Sequence, residues 1–141
     1  MICWRSENGQ ESYLGKIYDP WDCMNFAFKI YDDTGNASSD GGSTNLGNLD
    51  YTVQGSCCQC YFWCTCPCDD CNKVEMEIKD QGNMVVGKVC RLGRGCQGPV
   101  LASFLETDYF SIDFPKGSNW RQRAMLMNFA VFFDLMVFNG K

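Results

Sequence analysis

The alternation of apolar and polar residues along the first two-thirds of the chain predicts β-strands. The clearest case is NFAFKIYD, residues 25–32, where Phe26, Phe28 and Ile30 share one face. YLGKIYD, residues 13–19, alternates more loosely, and the PWDC sequence between the two segments is typical of a turn or a barrel corner. These segments therefore predict two strands joined by a short connection.

A β-hairpin is predicted in the middle of the chain. VEMEIKD, residues 74–80, alternates strictly, with Val74, Met76 and Ile78 on one side. A QGN turn follows, and MVVGKVC, residues 84–90, then supplies the partner strand.

A second pair of strands is predicted nearer the C-terminus, from PVLASFLE, residues 99–106, and YFSIDF, residues 109–114. In the second of these, alternation places Phe110, Ile112 and Phe114 inward and the intervening polar residues outward. The proline that follows ends the strand.

The last segment predicts a hydrophobic helix over residues 119–138, after a turn in which Ser118 is a candidate N-cap. From residue 124 to residue 138 only Asn128 and Asp134 are polar. That apolar run is about 22 Å long as a helix, whereas a bilayer core is about 30 Å thick. Because the run is short and contains an acid, a core helix is favoured over a membrane span.

Two segments lack a regular pattern. Residues 33–50 are rich in Gly, Ser, Asn and Asp and predict a flexible loop. Residues 55–72 form a cysteine-rich segment, which contains seven of the eleven cysteines of the chain.

The cysteine-rich segment allows three interpretations. Thiols beside Tyr61, Phe62 and Trp63 could be acyl acceptors next to aromatic residues that favour membrane interfaces. Thiolates could instead bind zinc, for which Cys68 and Cys71 have usable spacing, or the segment could be a reduced loop with no ligand. The candidate lipidation sites are Cys57, Cys58, Cys60, Cys64, Cys66 and Cys68.

Composition excludes several classes of function. A chain of 141 residues predicts one domain, and a net charge of −5 argues against a nucleic-acid partner. The chain contains no histidine, which removes histidine-based triads and the usual general base, so we expect no enzyme. The opening MICWRSENGQ has no secretory pattern, which favours reduced cytosolic thiols.

Taken in order, these segments resemble the phospholipid scramblase family, which has the tubby-like barrel fold. The similarity runs from about Leu14 to Phe138, and GSCCQC fits the family's Gly-x-Cys-x-x-Cys segment at Gly55, Cys57 and Cys60. The other matching stretches are LGKIYDPWDCMNFAFKI, VEMEI followed by MVVGKV, ETDYFSIDFP, and the closing helix RAMLMNFAVFFDLMVF.

The resemblance implies a mainly β fold, in which an antiparallel barrel packs around the hydrophobic C-terminal helix. Residues 1–141 are expected to form the C-terminal portion of such a domain, with about half of the barrel present. A half-barrel has open edges and exposes part of the helix. We therefore expect a homo-oligomer, a partner that completes the barrel, or a membrane surface.

The resemblance also implies a calcium site in the acidic strand before the helix. The family's acids fall on Glu106 and Asp108, its last acid falls on Gly117, and Asp113 is an acid where the family usually has none. The pattern is not that of an EF-hand, so weak, submillimolar Ca²⁺ affinity is expected. The full candidate set is Glu106, Asp108, Phe110, Ile112, Asp113 and Phe114.

The function implied is Ca²⁺-dependent, ATP-independent, bidirectional movement of phospholipids between membrane leaflets. The implied setting is the cytoplasmic face of the plasma membrane, with a palmitoylated protein and membrane phospholipids as partners. The alternative is a membrane-associated adaptor that binds a lipid or protein and transports nothing.

Overall fold

The computed structural model describes residues 2–8, 10–20, 25–32, 47–56, 59, 73–92 and 109–137. These residues form an antiparallel sheet and one helix, α1, which spans Trp120–Val137. The strands are β1 Ile2–Glu7, β2 Gln10–Tyr18, β3 Asn25–Asp32, β4 Asn48–Ser56, β5 Lys73–Lys79, β6 Val85–Leu92 and β7 Tyr109–Asp113. The predicted mainly β fold, a half-barrel with a C-terminal helix, is confirmed.

The seven described strands pair in chain order, so each strand lies beside the next one in the sequence. All of the pairs are antiparallel, and β1 and β7 form the two edges of the described sheet. The predicted β5–β6 hairpin is present, with the Asp80 carboxylate accepting hydrogen bonds from the backbone of Gly82 and Met84 in the turn.

Two strands lie where the sequence analysis predicts none. β1 occupies the polar N-terminal segment, and β4 begins at Asn48, so the predicted loop over residues 33–50 needs correction at residues 48–50. β4 forms because Tyr51 and Val53 fill the core while its backbone pairs with β3. Residues 33–46 lie outside the described part of the chain.

The core lies between one face of the sheet and one face of α1. The inward residues predicted for β3 and β5 are buried, except that Phe26 is only partly so. The buried apolar residues are Cys3, Leu14, Ile17, Phe28, Ile30, Tyr51, Val53, Val74, Met76, Ile78, Val89, Met125, Leu126, Phe129, Ala130 and Phe133.

Phe28 is the aromatic centre of the contact between sheet and helix. Its ring centroid lies 5.1 Å from that of Phe129 and 5.9 Å from that of Phe133. Close approach also requires a glycine in β2, because a Cβ atom at Gly15 would lie 2.5 Å from the Tyr31 carbonyl oxygen and 3.0 Å from Met125 Cε. The glycine therefore allows β2 to lie close to both β3 and the helix.

Helix α1 begins with a reciprocal cap. The Asn119 side chain accepts a hydrogen bond from the Gln122 backbone at 2.8 Å, and the Gln122 side chain accepts one from the Asn119 backbone at 3.0 Å. The N-cap is therefore Asn119 and not Ser118, whose hydroxyl instead accepts a hydrogen bond from Arg123 Nε. Among the described residues, no helix combines the length and the hydropathy needed to cross a membrane.

Candidate functional site

The predicted calcium strand is β7, and the structure describes four of its six candidate residues. Asp113 is exposed, whereas Phe110, Ile112 and Phe114 are half-buried and pack against the core. Because successive side chains of a strand point to opposite faces, the carboxylate of Asp113 lies away from these three side chains. Glu106 and Asp108 lie outside the described residues.

The neighbourhood of Asp113 is not strongly acidic. The β6–β7 register places Lys88 directly opposite Asp113, and the side chains of such a pair are close enough to interact. Within the described ranges, no three acidic or sulfur side chains converge as metal ligands. From the four described candidates, any calcium ligands other than Asp113 would have to be backbone carbonyl oxygens.

The six candidate lipidation cysteines lie outside the described residues. Gln59 lies between these cysteines in the sequence and is described; its side chain donates a hydrogen bond to the Glu75 carbonyl oxygen at 2.7 Å and accepts one from the Glu75 backbone at 2.8 Å. The Gln59 side chain therefore makes the two hydrogen bonds to the Glu75 backbone that a residue of a neighbouring strand would make.

Two other cysteines are described, and both are free thiols. Cys3 is buried, and Cys90 is half-buried on the outer face of β6. Burial raises the pKa of Cys90, and the nearby carboxylates of Glu75 and Asp113 raise it further. A raised pKa disfavours the thiolate, so Cys90 is a poor nucleophile at neutral pH.

Asp134, the acid of the hydrophobic helix, has a partner in the sheet. Its Oδ1 lies 3.3 Å from Nε of Arg91 in β6, and the Arg91 side chain is only 3% exposed. The Asp134 side chain is 26% exposed and lies at the margin of the interface. This ion pair connects the C-terminal half of α1 to the sheet across 43 residues of sequence.

Sequence reasoning missed the role of Arg91, because a charged residue usually predicts a solvent-exposed position. A usable signal was present, since Arg91 follows Val89 by two positions and therefore shares its inward face.

The N-terminal end of α1 is fixed by a second set of polar contacts. Arg121 donates a hydrogen bond to the Tyr13 carbonyl oxygen at 2.9 Å, and its Nη1 lies 3.2 Å from a carboxylate oxygen of Asp32. Gln122 donates a hydrogen bond to Asp50 at 3.2 Å. Polar contacts at both ends therefore fix the rotation of the helix on the sheet.

A polar cleft of about 320 Å³ opens beside this end of the helix. Burial raises the pKa of the Asp50 carboxyl, and the Asp32 carboxylate adds to the rise, whereas the hydrogen bond from Gln122 opposes it. The second acid of the cleft, Asp80, is engaged by the β5–β6 turn. The lining residues are Asp50, Tyr51, Asp80, Gln81, Gly82 and Gln122.

The face of α1 opposite the core carries apolar side chains. Met127, Val131 and Leu135 recur every fourth residue, and Trp120 lies about two turns before Met127, so the four share one face. They are 51%, 59%, 57% and 59% exposed, respectively. We call these four residues the outer stripe. The helix is therefore apolar on both faces, and only one face is buried.

In comparison with known proteins, the family model described as Scramblase matches residues 3–140 of the chain. This span includes every described strand except the first residue of β1, and all of α1. No solved structure matches the chain.

Proposed function

The chain belongs to the scramblase family, and from this premise we propose that it moves phospholipids between the two leaflets of a membrane. The movement is bidirectional and independent of ATP. The observation that carries the proposal is the family match over residues 3–140. The sequence also contains no phosphate-binding loop of the form GxxxxGK[ST], which is consistent with transport that does not use a nucleotide.

A dithionite assay tests this activity. Vesicles containing a trace of NBD-labelled phospholipid are reconstituted with the purified chain, and dithionite then reduces only the label that reaches the outer leaflet. Scrambling exposes the inner-leaflet label, so reduction proceeds beyond the plateau of protein-free vesicles. A plateau equal to that of protein-free vesicles, from vesicles shown to contain the chain, would exclude transport.

Calcium dependence forms a separate part of the proposal. Ca²⁺ would bind the acids that precede β7, Glu106 and Asp108, with Asp113 as a third carboxylate, and would draw this acidic edge to anionic headgroups. Phe110, Ile112 and Phe114 contribute only backbone carbonyl oxygens. The exposure of Asp113 supports its assignment, while Lys88 opposite it weakens any site and is consistent with low affinity.

Calorimetry tests the calcium site. Titration of Ca²⁺ into the chain should release or absorb heat, and Asp108→Ala should reduce that heat. Asp80→Ala is the matched control, because Asp80 lies in the β5–β6 turn and is not a candidate ligand. No heat from the parent chain would end the calcium proposal and would leave calcium-independent scrambling intact.

Acylation of the cysteine-rich segment would place the protein at the cytoplasmic face of the plasma membrane. One or two acyl chains on cysteines 57–68 would anchor it there, because each buried CH₂ contributes about 0.8 kcal/mol. Acyl-exchange mass spectrometry of the protein from cells should find modified thiols in this segment and none at buried Cys3. Unmodified thiols throughout would contradict the assignment.

The second candidate function is a membrane-associated adaptor that binds a lipid or protein without moving lipid. Helix α1 favours it, because Asp134 is held by Arg91 and, among the described residues, no helix is long and apolar enough to cross a membrane. Membrane binding without any dithionite-accessible inner label would identify the adaptor.

Oligomerisation is proposed through the sheet edges. β1 and β7 each pair with one neighbour among the described strands, and an unpaired edge can accept a strand from a second copy or another protein. Analytical ultracentrifugation of the purified chain tests this, and a monomer at every concentration would exclude self-association in solution.

A further inference from the structure

Two lysines and two tyrosines form a compact group on the outer face of β2 and β3. In the β2–β3 register Lys16 lies opposite Tyr31, and Tyr18 lies opposite Lys29. In each strand the isoleucine between the two residues is fully buried, so the lysine and the tyrosine point away from the core. Diagonal neighbours of an antiparallel pair are about 7–8 Å apart, and the two lysines lie on one diagonal. We call these four residues the β2–β3 patch.

The two lysines of the patch form no ion pair with the described residues. The outward lysines of β5 and β6, by contrast, have acidic neighbours: Lys73 with Glu75 at 3.2 Å, Lys79 with Glu77 at 3.7 Å, and Lys88 across from Asp113. The β2–β3 patch therefore carries positive charge that its neighbours do not neutralise, in a chain whose net charge is −5.

The acids at the nearby end of the sheet are directed to the helix side. Asp32 ends β3, and its carboxylate pairs with Arg121 of α1 at 3.2 Å. Asp50 lies at the register shift between β3 and β4, and its carboxylate accepts a hydrogen bond from Gln122 of α1. Asp80 lines the cleft with Asp50 and is bonded within the β5–β6 turn. These three carboxylates therefore do not face the patch.

Two positions adjoin the patch directly. Asp19 follows Tyr18, is exposed, and already takes part in an interaction of its own. On the β4 side, the residue opposite Lys29 is Thr52, which carries no charge. Two lysines and one adjoining acid leave a net charge of +1 at this surface.

The residue types favour a membrane surface as the anionic partner. Lysine ammonium groups bind phosphate oxygens, and tyrosine hydroxyls donate hydrogen bonds to them. Tyrosine is enriched at membrane–water interfaces, because its ring is apolar and its hydroxyl is polar. A stable protein interface uses about 20–30 residues a side, whereas the patch has four. The acidic chain also disfavours a nucleic acid.

We propose that the β2–β3 patch binds anionic phospholipid headgroups, with Lys16 and Lys29 against the phosphates and the rings of Tyr18 and Tyr31 in the interfacial region. The outer face of β2 and β3 then lies on the membrane, and α1 lies on the opposite side of the sheet. This proposal rests on the proposed function, and it assigns the surface at which the chain meets its lipid substrate.

Vesicle flotation tests the patch. The full chain, purified without acyl groups and kept in EGTA, is mixed with vesicles of phosphatidylcholine alone or of phosphatidylcholine and phosphatidylserine. The chain should float with the mixed vesicles and bind the neutral vesicles more weakly. Lys16→Gln/Lys29→Gln should weaken binding to the mixed vesicles about fivefold per lysine, and Lys16→Arg/Lys29→Arg should retain it. A parent chain that does not float with the mixed vesicles would overturn the proposal.

Lys73→Gln/Lys88→Gln is the matched control, because it removes the same charge from the same face of the sheet at positions beside acids. It should weaken binding less than about twofold. Equal losses in the control and in the Lys16→Gln/Lys29→Gln variant would mean that net charge alone governs binding, and would overturn the proposal. So would normal binding by the Lys16→Gln/Lys29→Gln variant when its circular dichroism matches that of the parent.

Lysine footprinting locates the contact in the unaltered chain. Brief acetylation with acetic anhydride, followed by peptide mass spectrometry, measures how accessible each ammonium group is. Mixed vesicles should lower the labelling of Lys16 and Lys29 and leave that of Lys73 and Lys88 unchanged. The reverse pattern would overturn the proposal. Protection of Lys16 and Lys29 at high protein concentration without vesicles would mean that the patch binds a second copy, and would also overturn lipid docking.

The patch and the transport activity fail separately. Flotation measures docking, and the dithionite assay measures transport. A chain that floats through the patch and leaves the dithionite plateau unchanged would support the patch and refute transport. A chain that scrambles lipid, but whose Lys16→Gln/Lys29→Gln variant floats as well as the parent, would support transport and refute the patch.

Discussion

Replacing Asp134 with asparagine should destabilise the protein more than replacing its partner Arg91 with methionine. The two side chains form an ion pair at 3.3 Å between α1 and β6. Their surroundings differ, because Arg91 is 3% exposed and Asp134 is 26% exposed. Removal of either side chain deprives the other charge of this contact, and the cost depends on how much water that charge can reach.

The magnitude follows from the burial. At 3.3 Å and an effective dielectric constant of about 20, the attraction is about 5 kcal/mol before desolvation is subtracted. Asp134→Asn leaves a nearly fully buried guanidinium without this carboxylate, and we expect a loss of about 3 kcal/mol in the free energy of unfolding. Arg91→Met leaves a carboxylate that water can reach and keeps an apolar stem in the core, so a loss of about 1 kcal/mol is expected.

Urea unfolding followed by circular dichroism measures both losses, and the double variant completes a mutant cycle. The coupling energy between Arg91 and Asp134 should be about 1–3 kcal/mol. The control pair must not connect the helix to the sheet, which excludes Gln122 and Asp50. Lys73→Met with Glu75→Gln is a suitable exposed pair and should show coupling below about 1 kcal/mol. Equal losses in the two single variants of the buried pair would refute the reasoning.

Two further predictions concern backbone contact and pH. Gly87→Ala places a methyl group against the Asp113 carbonyl oxygen and should lower the free energy of unfolding in urea by about 1–3 kcal/mol. Gly82→Ala, in an exposed turn, is the control and should lower it by less than about 1 kcal/mol. Equal losses in the two variants would contradict the close contact at Gly87. Burial raises the pKa of Asp50 in the folded state above its unfolded value of 3.8. The protonated carboxyl therefore stabilises the folded state; this contribution is complete below the unfolded pKa and is lost as the pH rises through the folded pKa. Asp50→Asn should therefore raise the urea midpoint near neutral pH and leave it unchanged well below that unfolded value, and equal shifts at both pH values would contradict this sign.

Strands whose inward side chains alternate regularly could be predicted from the sequence. In β5, Val74, Met76 and Ile78 lie on the face that alternation assigns to them, and all three are buried. The helix was also predictable, because an apolar run too short for a bilayer core favours packing against protein. In these segments the local sequence pattern is sufficient to predict the element, because the side chains that it marks as apolar are the ones that pack against the rest of the protein.

β4 shows why local pattern fails elsewhere. Asn48 and Asp50 are typical turn residues, and the loop composition continues into them from the preceding segment. The strand forms because Tyr51 and Val53 reach the core and pair with β3, and this benefit comes from residues distant in the sequence. Tertiary contacts therefore override the turn preference of the first residues.

The candidate site, too, could be predicted from the sequence only in part. The acids and cysteines could be chosen from residue type and from family resemblance, but their convergence depends on how the chain returns to the sheet. The ion pair between Arg91 and Asp134 depends on which part of β6 packs against the helix, and no local sequence pattern predicts that packing. The outer stripe likewise emerges only when the sheet is known to cover one face of a helix that carries apolar side chains on both faces.

The most direct test of the central claim, lipid movement by this chain, is the dithionite endpoint measured over a series of protein-to-lipid ratios. If the chain scrambles lipid, the reducible fraction should rise with the number of copies per vesicle until every vesicle contains an active protein. A fraction that stays at the protein-free plateau at every ratio, while the chain floats with the vesicles, would contradict the claim and leave an adaptor.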